Sequence, residues 1–172
     1  MKTITPNNTQ RVMKQDDFIV SKTDTKGKIT YCNQIFMKFA NMDESQLHGQ
    51  PHNIIRHPDM PKVVFKLLWQ RVQNGEEIFA YVKNLSSDGG YYWVYANVTA
   101  SYDMNDRIIG YYSVRRKPND EALKVIESLY ATLLEKEKKG GVEASLKYLT
   151  NLLEEKKISY DEFIISLQKG DR

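Results

Sequence analysis

Leu47-His48-Gly49-Gln50-Pro51-His52-Asn53-Ile54-Ile55-Arg56-His57-Pro58-Asp59-Met60-Pro61 is the stretch on which the reading of this 172-residue chain turns. It holds all three histidines of the protein and three of its five prolines. Pro51 and Pro58 bracket Arg56-His57 closely enough to forbid an ordinary long helix, because proline lacks an amide hydrogen and restricts the residue before it. A stiff, polar, irregular segment carries hydrogen-bonding groups that need partners. The segment predicts a ligand-facing loop between two regular regions, with a cofactor as its counterpart.

On the C-terminal side, Pro61 to Asn74 predicts a long helix, with proline at its start and Gly75 at its stop. At 100° per residue its apolar arc spans roughly 240°, where a helix resting on one sheet needs only about 100°. Val63, Val64, Leu67 and Leu68 fill the middle. Phe65, Trp69 and Val72 form one margin, and that surplus needs a second cover. Three strands follow, Ile78 to Ser86, Tyr91 to Ser101 and Ile108 to Lys117, turning at Asp88-Gly89-Gly90 and Asp103-Met104-Asn105-Asp106.

On the N-terminal side, Phe18 to Thr23 and Ile29 to Cys32 read as a hairpin around Asp24-Thr25-Lys26-Gly27-Lys28. Asn33 is placed to cap a short helix through Ile35, Phe36, Phe39 and Ala40. Asp43 to Leu47 adds one helical turn. Residues 18–118 therefore predict an α+β domain: a five-stranded antiparallel sheet with short helices and one long helix on one face. Both faces of the third and fourth strands are apolar. Ile78, Ala80 and Val82 alternate with Phe79, Tyr81 and Leu85, and Tyr91, Trp93 and Tyr95 alternate with Val94, Ala96 and Val98. The second face needs a cover: the arm or short helix at 1–17, the tail at 119–172, or another molecule.

That tail predicts three helices. Asn119-Asp120 caps the first, whose apolar row runs through Leu123, Ile126, Leu129, Tyr130, Leu133 and Leu134. Gly140-Gly141 ends it. Val142, Leu146, Leu149, Leu152 and Leu153 mark the second, and Ser159-Tyr160-Asp161-Glu162 is a capping box for the third.

Composition excludes several function classes. Hydrophobic residues at 41% with 11% aromatics support a packed core. A net charge of +3 with mixed signs gives nucleic acid no electrostatic footprint. The single cysteine, Cys32, forbids an intramolecular disulfide and suits a reducing, cytoplasmic setting. No apolar run approaches the ~20 residues of a membrane span, so no direct membrane insertion is expected. Metal binding by His48 and His52 is disfavoured, since Gly49 and Pro51 break the helix their spacing would require. There is no nucleophile elbow, phosphate loop or metalloprotease helix, and the protein reads as a non-enzyme.

Specific motifs carry a resemblance. Ser21-Lys22-Thr23-Asp24, Gly27 to Asn33 and Gly49 to Pro61 resemble a PAS domain of the aerotaxis and energy-taxis receptor type. Leu68-Trp69, Val82-Lys83-Asn84, Tyr92 to Thr99 and Gly110 to Arg115 continue the likeness, which covers about residues 17 to 118. It implies a PAS fold that holds FAD non-covalently and reports its redox state to the chemotaxis machinery. One departure stands out: many relatives carry Trp-x-Gly where this chain has Ile78-Phe79-Ala80, so a ring-stacking contact is expected to be altered. With no membrane span, the chain is similar to the stand-alone sensor of a split receptor. Its partner would then be a membrane-bound methyl-accepting chemotaxis-type receptor, and a homodimer is a further possibility for the apolar tail.

The cofactor-binding residues that follow are Asn33, His52, Arg56, His57, Trp69, Asn84 and Asn97. Asn84 alternates onto the face of Ile78, Ala80 and Val82, where a lone amide needs a partner and a flavin edge offers donors and acceptors. Asn97 shares its face with Tyr91, Trp93 and Tyr95, a weaker position. Arg56 and His57 could bond a flavin ring, ribityl chain or phosphates; the bland reading is a loop held by an Arg56–Asp59 pair with His57 exposed. Trp69 could pack on the ring, although a tryptophan at helical spacing is more often core. His52 is balanced between ligand and scaffold. A haem ligated by one of these histidines is the alternative cofactor, and a cofactor-free interaction module the alternative role. A flavin–cysteine photoadduct is unsupported, because no cysteine follows Asn33.

Overall fold

The computed structural model describes residues 4–170. Five strands, β1 (Ile19–Thr23), β2 (Ile29–Cys32), β3 (Ile78–Leu85), β4 (Tyr91–Tyr102) and β5 (Ile108–Arg116), form one antiparallel sheet in the order β2-β1-β5-β4-β3. Between β2 and β3 lie α1 (Gln34–Ala40), α2 (Glu44–Leu47), a 3-10 turn (His52–Ile55) and α3 (Lys62–Gln73). After β5 come α4 (Asp120–Lys156) and α5 (Tyr160–Lys169). This is the expected α+β architecture, with strand ends within one residue of the sequence reading.

Local chemistry explains the starts and stops. The Asn33 side chain accepts from Phe36 N–H and caps α1. Asp43 and Gln46 form a reciprocal capping box on α2. The prolines hold the central stretch to a single 3-10 turn, after which Arg56 makes an isolated antiparallel bridge to Asn84. Lys83 N–H donates to Met60 Sδ at 3.2 Å, so the loop covers the outer edge of β3.

The core has two sides. α1, α2 and α3 cover one face of the sheet. The tail covers the β3–β4 half of the other, bringing Ile126, Tyr130, Leu133, Leu149, Phe163 and Ile164 into the same buried cluster as Tyr81, Trp93 and Tyr95. Most of the apolar row on α4 is thus covered within the chain. Tyr130 Oη donates to the Tyr81 carbonyl at 2.7 Å, and Tyr160 Oη to the Phe79 carbonyl at 2.9 Å. α4 departs from helical backbone at Gly140 and Gly141, where the sequence predicts a break. Gly141 sits at φ 72°, a conformation side chains resist.

The N-terminal segment takes the arm form: its described residues, 4–17, contain no helix. Gln10 bridges Tyr91 in parallel, and the Asn7 amide N–H donates to the Gly89 carbonyl at 2.8 Å. The first three residues of the expected 1–17 segment lie outside the described residues. Ile78 and Ala80 are buried, while Phe79 stacks on Tyr95 at 5.5 Å on the tail face.

Candidate functional site

Strand alternation places Val82 and Asn84 of β3, Ala96 and Val98 of β4, Tyr111, Ser113 and Arg115 of β5, and Ser21 and Thr23 of β1 on one face. These side chains form the floor of a cavity of about 370 Å³. The roof comes from Pro51 to Arg56 and from the α3 margin at Phe65, Leu68 and Trp69. The surplus apolar arc on α3 therefore has two covers, the cavity on one side and α4 on the other. On the α4 side, Glu137 Oε1 accepts from Val63 N–H at 2.9 Å, supplying the N-terminal cap that Pro61 cannot.

Trp69 meets Tyr111 edge to face, with centroids 5.3 Å apart. Its indole lies so near Gly27 that a β-carbon there would come within 3.1 Å of the ring, and Gly27 also needs φ 77°. The turn between β1 and β2 is thus shaped around the tryptophan. Arg56 lays its guanidinium 3.7 Å from the Phe65 ring centroid, with a buried Nε that has no partner among the described residues. Asn84 is 4% exposed, and no protein hydrogen bond engages its amide among the described residues.

His52 stacks on Phe36 at 5.8 Å, and its Nε2 lies 3.0 Å from Ser21 Oγ. Burial, reinforced by the nearby Arg115 and Arg56 charges, pushes its pKa down to about 3, so the ring is neutral. Arg115 Nη2 donates to the same hydroxyl. The Ser21 hydroxyl thus accepts from Arg115 and shares a second hydrogen bond with His52 Nε2, whose direction follows the imidazole tautomer.

Arg115 is the residue that the sequence reading missed. It is 2% exposed, its Nε and Nη1 have no partner among the described residues, and it sits 4.6 Å above Phe36. Alternation along β5 with Tyr111 and Ser113 could have pointed to it. The run Arg115-Arg116-Lys117 instead reads as a solvated strand end.

Four expected site residues meet at this cavity: His52, Arg56, Trp69 and Asn84. Three do not line it. Asn97 lies on the tail face, where its amide donates to Glu77 Oε2 at 3.0 Å, because its strand parity is opposite to that of Ala96 and Val98. Asn33 spends its side chain on backbone, accepting from Val20 N–H and Phe36 N–H and donating to the Phe18 carbonyl. It borders a separate open groove with Val20, Lys22 and Tyr112. His57 is buried outside the cavity wall, where its Nδ1 accepts from Asp59 N–H at 3.1 Å. Burial and Lys83 lower its pKa against the pull of Asp59. The bland version of this loop is corrected as well: Asp59 pairs with Lys83 at 2.7 Å rather than with Arg56, and His57 is not exposed.

The electrostatics are one-sided. Lys26, Arg56 and Arg115 line the cavity, and among the described residues no Asp or Glu does. No described group of three or more His, Cys, Asp or Glu could hold a metal ion. No described helix is long and apolar enough to cross a membrane.

Comparison with known proteins places this geometry. Residues 29–115 match the PAS fold family. Over 130 residues the chain is 37% identical to the aerotaxis receptor of Escherichia coli strain K12, an alignment spanning 76% of this chain and 25% of that receptor. The chain thus spans about a quarter of the length of that curated relative. Among solved structures it resembles a PAS domain from Colwellia psychrerythraea, with 21% identity, a TM-score of 0.54, and coverage of 58% of this chain and 85% of that one. A light-oxygen-voltage domain whose mechanism was studied with a flavin analogue aligns with 22% identity and a TM-score of 0.55, covering 63% of this chain and 82% of that one.

Proposed function

The chain belongs to the PAS fold family, and on that premise we propose that it is a redox sensor. It binds FAD non-covalently in the cavity and reports to a methyl-accepting chemotaxis-type receptor by protein contact. The observation that carries this reading is a wall of donors unpaired among the described residues, cationic at three points and with no described carboxylate. Buried polar groups in native proteins are nearly always paired, and an unpaired one costs about 1–3 kcal/mol. A planar heteroaromatic ring rich in carbonyls and acceptor nitrogens answers those donors.

The residues fit such a group. A volume of about 370 Å³ lies in the range of ligand pockets and suits a ring system better than a whole dinucleotide. Asn84 would take a ring edge as both donor and acceptor. Phe65, Leu68, Trp69 and Val98 would flank the ring faces. Lys26 is exposed and Arg56 half-buried, so the phosphates of a dinucleotide leaving the cavity would meet positive charge. FAD, when bound, supplies reversible electron acceptance with a change of charge on its ring.

The output runs through packing. β3 carries Asn84, and its backbone carbonyls accept from Tyr130 and Tyr160 of the tail. α3 carries Trp69 and is held by Glu137 and by the Arg71–Asp161 pair at 2.6 Å. A cavity-side rearrangement therefore reaches α4 and α5 without passing through solvent, and among the described residues none that lines the cavity belongs to the tail.

The test is the absorbance spectrum of purified protein, followed by identification of the chromophore released on denaturation. A flavin spectrum and released FAD are expected. A colourless protein that cannot be reconstituted with FAD, or one with a Soret band, overturns the cofactor. For the output, the cytoplasmic region of a receptor is captured with full-length protein and with protein lacking 119–172, each oxidised and reduced. Redox-sensitive capture by the full-length form alone is expected. Equal capture by both forms places the interface on residues 18–118.

A further inference from the structure

We propose that Arg115, braced through Ser21 and His52, fixes the charge state of the cavity's cofactor by holding its reduced ring as an anion and raising its midpoint potential. This rests on the FAD reading above and goes beyond it, since neither sequence nor resemblance singled out Arg115.

The charges around Arg115 do not balance. A fully buried guanidinium normally has a carboxylate partner, because an uncompensated buried charge is strongly destabilising. Arg115 has a hydroxyl and the face of Phe36, with two nitrogens left over. The other groups facing the same space do not supply the missing charge. Lys26 and Arg56 are cations, His52 is neutral, and burial raises the Tyr111 phenol and keeps it protonated. Tyr92, from β4, adds a buried hydroxyl whose pKa burial also raises. Burial lowers Arg115 itself only to about 10, which leaves it charged at neutral pH. The ligand must therefore bring the negative charge.

A flavin ring does so on reduction. Two electrons arrive from an external donor, dithionite in the test, with one proton from water, and the ring is left with a single negative charge opposite Arg115. His52 cannot replace that stabilisation by taking a proton of its own, and the Ser21 hydroxyl, bonded on both sides, cannot turn away. The pair holds the guanidinium in place.

The test compares midpoint potentials of FAD-loaded wild type, Arg115→Met and Arg115→Lys across pH, with free FAD titrated alongside. In wild type, the pH at which uptake falls from two protons per two electrons to one should lie at least one unit below that of free FAD. Arg115→Met should return that break toward the free position. Above both breaks it should lower the potential by about 30 mV for each tenfold loss of anion stabilisation. Arg115→Lys should stay nearer to wild type. A wild-type break that coincides with free FAD overturns the inference, as does an Arg115→Met protein indistinguishable from its parent. Should Arg115→Met fail to fold or to keep FAD, the wild-type break alone decides. A wild type that binds no FAD overturns the sensor reading and this inference together, whereas the other failures leave the sensor reading standing.

Discussion

The two faces of one sheet treat their polar groups in opposite ways. On the tail face three tyrosine hydroxyls are engaged: Tyr130 and Tyr160 donate to β3 carbonyls and Tyr81 Oη donates to Gln168 Oε1 at 3.1 Å, while Asn97 meets Glu77. On the cavity face Asn84, Thr23, Arg56 and Arg115 hold groups with no partner among the described residues. The tail side keeps two exceptions, the Trp93 indole N–H and the Ser145 hydroxyl. Those are neutral, whereas two of the cavity orphans are guanidiniums, and an unmet charge costs far more than an unmet N–H. One face is complete as folded and serves stability. The other points its unpaired groups into the cavity, where the proposed cofactor would complete them.

The largest test of that division strikes the complete face. Leu133 is fully buried in the cluster shared by tail and sheet. Leu133→Ala should cost about 2–5 kcal/mol in urea unfolding, through lost burial and the cavity left behind. Below its transition the variant should hold FAD as tightly as the parent does. A folded variant that releases FAD would break the separation of the two faces.

Acid probes the cavity face next. Burial, with the Arg115 and Arg56 charges, holds the folded pKa of His52 at about 3, against about 6.5 for an exposed histidine. Between those values the unfolded chain binds a proton that the folded chain refuses, so stability is lost as pH falls from about 6.5. His57, lowered chiefly by burial, acts with the same sign. Glu162, held low by its bonds to Ser159, acts only below the ordinary glutamate range. Unfolding of the cofactor-free protein followed from pH 7 to pH 4 should show a loss of about 1–3 kcal/mol. His52→Gln should flatten much of that slope. An equally steep slope in the variant would move the acid sensitivity to His57 or elsewhere.

Much of this division was legible in the sequence, and what was not has physical causes. Period-two alternation located both apolar faces and gave Asn97 its parity, which proves to be the tail side. The wide arc of α3 foretold a second cover but not that a cavity and α4 would share it. Asn33 was open to two readings, and its side chain binds backbone at Val20, Phe36 and Phe18 outside the cavity. His57 shows the limit of local reading. Within one irregular loop, side chains two residues apart can point to different compartments, and only tertiary packing says which. Arg115 was hidden because a basic residue at a strand end is usually solvated, and no sequence pattern reports that Phe36 and Ser21 enclose it.

The smallest expected effect is also the sharpest, because its sign differs between the empty and the loaded protein. Asn84 is buried at 4%, is fixed by the Arg56 bridge through its backbone, and offers its amide to the cavity alone. Asn84→Leu keeps the approximate size of the side chain and removes two donors and an acceptor. Without cofactor, nothing in the protein loses a partner, so stability should be unchanged or slightly higher. With FAD, a hydrogen bond worth about 1 kcal/mol is lost, which corresponds to a several-fold weaker Kd. Thermal unfolding of the empty protein and FAD titration by fluorescence quenching measure the two signs separately. If Asn84→Leu instead destabilises the empty protein and leaves FAD affinity untouched, the amide serves the fold, and the contrast between the two faces fails at its most exposed point.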